Sequence, residues 1–233
     1  TSMIREAIVL AGGFGTRLQT VVKEVPKPMA PVAGKPFLQY ILDYLIAHKV
    51  THVVLAVGYL RETIIDYFGD NYQSLSITYA VEENPLGTGG GILNACKQIK
   101  GDNVFVINGD TFFDVDLVEL SAFHETNNAL LTVALKNMKK FDRYGTVETD
   151  NEGRIIGFLE KKYLDEGLIN GGIYCLNKHI FHPEFPAAFS FEKEILEKEI
   201  VNRKIYGLRS EGYFIDIGIP EDYARAQDDF KGK

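Results

Sequence analysis

An α/β fold, with a mixed but mostly parallel central sheet flanked by helices, follows from two observations. Short apolar runs closed by glycine or Asn-Gly-Asp turns alternate with segments of helical periodicity through the first half. A chain of 233 residues, 45% apolar and 24% charged, is also long enough to bury a sizeable core. No linker, low-complexity tract or internal repeat divides it, so residues 1–233 are expected to form one continuous domain.

Residues 4–11 (IREAIVLA) are apolar, end at Gly12-Gly13 and predict a buried strand. Pro36 then opens a helix in which Phe37, Tyr40, Ile41, Tyr44 and Leu45 share one face. Residues 51–57 predict the next strand, 61–68 a helix, 76–81 a strand, 88–99 a helix and 103–107 a second buried strand. That alternation means right-handed βαβ units. The first half, about residues 3–125, is therefore Rossmann-like, with its ligand beyond the carboxyl ends of the strands. After Ala129 the pattern changes to short strands at 130–135, 145–149, 154–159 and 171–176, read as a mixed or antiparallel extension of the same sheet. A charged helix at 192–201, strands near Ile205 and Tyr213, and a helix started by Pro220-Glu221-Asp222 complete the chain.

Composition removes several classes of function. A net charge of −7 with no basic block argues against nucleic acid and anionic membranes as partners. No apolar run is long enough to span a bilayer. Thr1-Ser2 before Met3 do not read as a targeting signal. Cys96 and Cys175 stand far apart, so neither a disulfide framework nor a zinc site is expected, and a cytoplasmic location fits. The two thiols read as core residues and the five histidines as surface or capping residues. The run 192–199 reads as a solvated face, with Ile195, Leu196 and Ile200 kept for the core.

Four features carry chemistry. Gly12-Gly13-Phe14-Gly15-Thr16-Arg17-Leu18 follows the first strand. Glycines there let backbone N–H groups approach a phosphate chain, and Arg17 adds a permanent cation. No GK[ST] follows, and Leu18 stands where a dinucleotide fingerprint needs its last glycine, so neither of those loops is present. A plain strand-to-turn glycine cluster is the other reading. Pro26-Lys27-Pro28 stiffens the backbone around Lys27, which suits a point charge aimed at a phosphate or an exposed turn lysine. Asp110 ends a buried strand, where an α/β sheet places a metal ligand or a turn aspartate. Asp216 lies in an apolar strand and needs a metal or a salt-bridge partner.

GGFGTRL, PKP, LGTGG, NGD, FLEK and IDIG, in this order, resemble the sugar-1-phosphate nucleotidyltransferases, whose fold is GT-A-like, and the resemblance covers essentially the whole chain. VPKPMAPVAGKPFLQYILDYL, ENPLGTGGGI, NGDTFFDVDL and FSFEKEIL look most like the bacterial D-glycero-α-D-manno-heptose 1-phosphate guanylyltransferases. The resemblance implies that Gly12, Gly13, Gly15 and Thr16 wrap the triphosphate, Arg17 balances the departing phosphates, and Lys27 bridges the nucleotide α-phosphate and the sugar phosphate. Ala11, Asn108 and the loop Leu86-Gly87-Thr88 complete the nucleotide-binding set. Asp110 and Asp216 match the pair that holds Mg²⁺, with Mn²⁺ as a substitute. Glu160 and Lys161 match the sugar and phosphate contact, while Gly145, Asn170 and Gly171 match the sugar pocket. Residues 126–233 would thus form the sugar-phosphate half. Lys162, where many relatives carry proline, and the flexible Gly171-Gly172 pair depart from the pattern.

The implied reaction joins GTP, or another nucleoside triphosphate, to a sugar 1-phosphate and releases pyrophosphate. Mannose, glucose or N-acetylsugar 1-phosphates, UTP or CTP, and a non-catalytic nucleotide-sugar-binding subunit are the alternatives; a homo-oligomer is left open. GTP is favoured because Glu82 stands where thymidylyl and uridylyl relatives often have glutamine. A carboxylate only accepts, which suits the adjacent N1–H and N2–H₂ of guanine. The competing reading makes Glu82 a solvated strand-end acid, with selectivity coming from backbone near Leu86.

Overall fold

Strand β1 (Glu6–Leu10) runs down the middle of an eight-stranded sheet in the computed structural model, which describes residues 3–12, 25–202 and 204–233. A short hairpin, β2 (Pro31–Val32) and β3 (Lys35–Pro36), leads into helix α1 (Phe37–Ala47). β4 (His52–Val57), α2 (Arg61–Phe68), β5 (Asn71–Tyr72), β6 (Leu75–Val81), α3 (Gly87–Cys96) and β7 (Asn103–Asn108) follow. Then come β8 (Thr111–Phe113), α4 (Leu117–Thr126), β9 (Leu131–Phe141), β10 (Thr146–Thr149), β11 (Ile155–Leu159) and β12 (Leu164–Asn177). A three-part helical segment at 192–202, which includes α5 (Glu197–Glu199), precedes β13 (Ile205–Ser210), β14 (Phe214–Asp216) and α6 (Pro220–Asp229).

The sheet order is β13-β9-β12-β7-β1-β4-β6-β5. β7, β1, β4 and β6 are parallel, so their carboxyl ends share one edge; β12 runs antiparallel to both β7 and β9, and β13 is parallel to β9. Strand alternation gives both faces a core. Ala7 and Val9, Val53 and Leu55, and Phe105 and Ile107 face one side, packed under α1 by Phe37, Ile41 and Leu45. Ile8, Val54, Val104 and Val106 face the other, packed by Ile92 and Ala95 of α3 and by Phe191 and Ile195. The mostly parallel α/β architecture is the one the sequence predicts.

Several elements differ from expectation. β10 and β11 form a separate two-stranded sheet, as do β8 and β14, so the second half is not one extension of the main sheet. β9 and β12 run well past their apolar stretches, because their polar halves pair with each other from Leu164↔Phe141 to Asn170↔Leu135. The helix expected at 192–201 begins with a wide π turn, Glu192–Leu196, which buries Phe191, Ile195 and Leu196 together. α4 and β8 were not anticipated. Gly171 and Gly172 are not a flexible joint: they sit at a register shift of β12, where Gly172 has φ +80° and a Cβ on Gly171 would lie 2.2 Å from the Phe113 ring. Among the described residues no helix is long and apolar enough to cross a membrane.

Both thiols are buried. His124 is buried as well, against the expectation of a surface or capping residue. Its Nδ1 lies 2.8 Å from the Thr132 hydroxyl and its Nε2 3.1 Å from Asn103 Oδ1. Asn103 Oδ1 is an acceptor, since it also takes a hydrogen bond from the Asn177 amide, so Nε2 donates to it. Burial depresses its pKa from 6.5 to about 4. The unfolded chain therefore binds this proton first, and the folded state loses stability as pH falls from 6.5 towards 4. A displacement of that size corresponds to about 3 kcal/mol. Denaturant titrations at pH 7 and pH 4.5 should show His124→Gln losing less stability on acidification than the wild type; equal losses would contradict this.

Candidate active site

The shared carboxyl edge of β1, β4, β6 and β7 delivers Ala11-Gly12, Gly58, Glu82 and Gly109-Asp110 to one region. β1 and β7 are drawn together there by the Gly109 N–H, which donates to the Leu10 carbonyl at 2.9 Å. Only glycine fits, since a Cβ on Gly109 would lie 2.4 Å from that carbonyl and 2.9 Å from Pro28 Cγ. The turn that carries Lys27 thus abuts the turn that carries Asp110. Pro28 and Met29 are buried, and Met29 N–H donates to the Pro26 carbonyl at 2.8 Å, which fixes the short helical turn Lys27–Met29.

Lys27 Nζ donates to Asp110 Oδ2 at 3.1 Å. β14 brings in the second carboxylate by pairing Asp216 opposite Thr111, with the Ile217 N–H donating to the Asp110 carbonyl. Asp216 Oδ1 accepts from the Gly218 N–H at 2.8 Å, and Oδ2 accepts from the Tyr144 hydroxyl at 3.0 Å. Burial, followed by the negative charge of Asp110, holds the Asp216 carboxyl above its ordinary pKa, while the Gly218 and Tyr144 hydrogen bonds and Lys27 oppose that rise. The same burial and the Asp216 charge raise the pKa of Tyr144. Two oxygen-donor carboxylates that repel each other suit a hard divalent cation, so the residues fit a metal of that class. Among the described residues no group of three or more His, Cys, Asp and Glu is arranged to hold an ion, so phosphate oxygens and water would complete the shell.

Two cavities flank this cluster. One, of about 520 Å³, is lined by Gly12, Gly58, Arg61, Glu82 and the 83–88 loop. Glu82 Oε2 accepts from the Leu86 N–H at 3.1 Å, so that backbone donor is taken; a Cβ added to Gly12 or Gly91 would lie 3.5 or 3.2 Å from Oε1. The other cavity, of about 610 Å³, is lined by Gly145, Phe158, Glu160, Lys161, Asn170 and Glu192, among others. Asn170 is fixed at both ends: Nδ2 donates to the Tyr174 hydroxyl at 2.7 Å and Oδ1 accepts from the Gly172 N–H.

Most of the expected site residues therefore converge. Ala11, Gly12, Glu82, Leu86, Gly87, Thr88, Asn108 and Asp110 stand at or beside the first cavity and the strand edge, and Gly145, Glu160, Lys161 and Asn170 line the second. Gly171 does not join them; it faces the Phe113 ring. Gly13, Gly15, Thr16 and Arg17 lie outside the described residues. The run 192–199 is solvated as expected, with Glu192, Lys193, Glu197 and Lys198 exposed and Ile195 and Leu196 buried, but Glu192 and Glu197 also line the second cavity, which the sequence did not indicate. Sequence reasoning also missed Tyr144, whose only signal was its place beside Gly145.

Residues 6–232 match the Nucleotidyl transferase family, and the chain belongs to it. It is 52% identical over 223 residues to the D-glycero-alpha-D-manno-heptose 1-phosphate guanylyltransferase of Aneurinibacillus thermoaerophilus, covering 95% of this chain and 96% of that protein. The enzyme of the same name from Campylobacter jejuni subsp. jejuni serotype O:2 is 47% identical, with 94% and 96% covered. HddC from Yersinia pseudotuberculosis, solved in complex with GMP-PN, superposes with a TM-score of 0.88 at 36% identity, covering 98% of this chain and all of that one.

The raised pKa of Asp216 carries a stability consequence. A carboxyl that prefers its proton in the fold costs nothing below its ordinary pKa, and the cost is complete once pH exceeds the raised value. In excess chelator at pH 7, Asp216→Asn should melt at a higher temperature than the wild type, with the gap closing in acid. A lower melting temperature at pH 7 would contradict a net cost of burying this carboxylate beside Asp110.

Proposed function

We propose that the chain transfers a guanylyl group from GTP to D-glycero-α-D-manno-heptose 1-phosphate, releasing pyrophosphate. The observation that carries this reading is the Lys27–Asp110 pair with Asp216 beside it, at the strand edge and joined by hydrogen bonds through Gly109–Leu10 and Tyr144–Asp216 to the walls of both cavities. In this proposal residues 3–125 hold the nucleotide and 126–233 the sugar phosphate, within one domain working in the cytoplasm.

A sugar-phosphate oxygen attacks the α-phosphorus in line, a bond to that oxygen forms, and the bond to the β-phosphate bridging oxygen breaks. Both reactants are anions, so the protein's task is alignment and neutralisation of charge. Lys27 takes the position between the α-phosphate and the sugar phosphate, Arg17 the departing phosphates, and Lys161 the sugar-phosphate end. Gly12, Gly13, Gly15 and Thr16 supply backbone donors to the triphosphate. Asp110 and Asp216 hold a divalent cation, Mg²⁺ with Mn²⁺ as a substitute, which offsets phosphate charge when bound. The attacking phosphate is already ionised and needs no general base. Glu82, oriented by the Leu86 N–H, accepts from guanine N1–H and N2–H₂.

A panel of sugar 1-phosphates against four nucleoside triphosphates, read by pyrophosphate release, tests the reading. GTP with the heptose 1-phosphate should give the highest kcat/KM, and Glu82→Gln should lower the GTP-to-UTP preference by roughly tenfold or more. Turnover with no pair would overturn the proposed function. Equal use of UTP and GTP by the wild type would overturn the role of Glu82 alone.

A further inference from the structure

Glu192 stands between the two cavities. It lines the second one beside Asn170, while its Oε2 accepts from the Thr88 hydroxyl at 2.7 Å, and Thr88 lines the first. Oε2 accepts a second hydrogen bond from the Ser190 hydroxyl at 3.1 Å. The Thr88 oxygen in turn accepts from the Phe191 N–H at 3.0 Å. The Gly89 and Gly90 N–H groups both donate to the Phe189 carbonyl, so residues 189–192 are docked on the first turn of α3. The buried Tyr174 hydroxyl, partner of Asn170, feels the Glu192 charge.

A glutamate at a cavity rim would normally sample many rotamers. Here two hydroxyl donors hold one carboxylate oxygen, and Oε1 takes no hydrogen bond from the described residues. That oxygen can only accept. It repels phosphate, so the substrate group that suits it in this cavity is a hydrogen-bond donor, such as the hydroxyl of a sugar. We infer that Glu192 is a specificity-determining residue that accepts a hydrogen bond from a sugar hydroxyl, with Thr88 of the nucleotide-side loop positioning its carboxylate. This rests on the proposed sugar 1-phosphate substrate and adds the group that reads the sugar itself. It also ties the two cavities together, because the α3 loop and the sugar reader share one hydrogen bond.

The test compares wild type, Glu192→Gln, Thr88→Val and Thr88→Ser with GTP and the heptose 1-phosphate, and with its monodeoxy analogues. No wild-type turnover on any sugar 1-phosphate would mean the proposed function has failed. Given turnover, Glu192→Gln should raise KM for the sugar phosphate by roughly tenfold while changing KM for GTP less than about twofold. The defect should vanish for the one analogue that lacks the hydroxyl Glu192 reads. Thr88→Val should move the sugar KM in the same direction by less, and Thr88→Ser should restore it. Binding of a fluorescent GTP analogue, unchanged in Glu192→Gln, shows that the first cavity persists in that variant, and wild-type thermal unfolding in all three variants shows that the fold does; because Thr88 lines the first cavity, its variants are read by the change in sugar KM alone. An unchanged sugar KM in Glu192→Gln, equal increases in both KM values, or equal defects on every analogue would overturn the inference.

Discussion

Asp110 and Asp216 are held near one another by backbone pairing, although their like charges repel, and the surrounding structure is arranged around that constraint. β8 and β14 make only a three-residue ladder, yet it places Asp216 opposite Thr111, one residue from Asp110. The Gly109 contact with Leu10 and Pro28 brings the Lys27 ammonium to the same place. One cation stands beside two carboxylates, and burial first, with the Asp110 charge second, raises the pKa of Asp216. Clusters left in such imbalance occur where a ligand supplies the missing charge.

The two cavities are linked to that cluster by short hydrogen-bonded steps, Gly109 to Leu10 on one side and Tyr144 to Asp216 on the other. Leu10 and Gly12 connect β1 to the first cavity. Tyr144, which donates to Asp216, is followed by Gly145 in the wall of the second. Arg143 in the same loop makes a two-pronged contact with Glu221 at the start of α6, so the loop is tied down on both sides of the carboxylate. An aligned reaction between two anions needs this kind of fixed placement more than it needs a reactive side chain.

Much of this was legible in the chain, for identifiable reasons. α1 was placed by periodicity because Phe37, Tyr40, Ile41, Tyr44 and Leu45 are all buried, and Pro220 marked the start of α6 because its missing N–H costs nothing there. Asp110 and Lys27 stood out because their backbone context, a strand end and a proline-flanked turn, is local. Asp216 was legible as a buried charge, but its partner Tyr144 was not, since they are 72 residues apart and only the fold joins them. The polar halves of β9 and β12 were hidden because they pair beyond the helix layers, where no apolar face is required. Glu192 was hidden by its own context, an alternating run of charge that looks solvated along its length.

The most direct test of the central claim is a titration of the protein with Mn²⁺, followed by the loss of the free-ion paramagnetic resonance signal in the presence of GTP. The account predicts one tightly held ion per chain in the wild type, and binding weakened by at least about tenfold in both Asp110→Asn and Asp216→Asn. Binding that survives either substitution unchanged would show that the two carboxylates are not the ligands and would contradict the account.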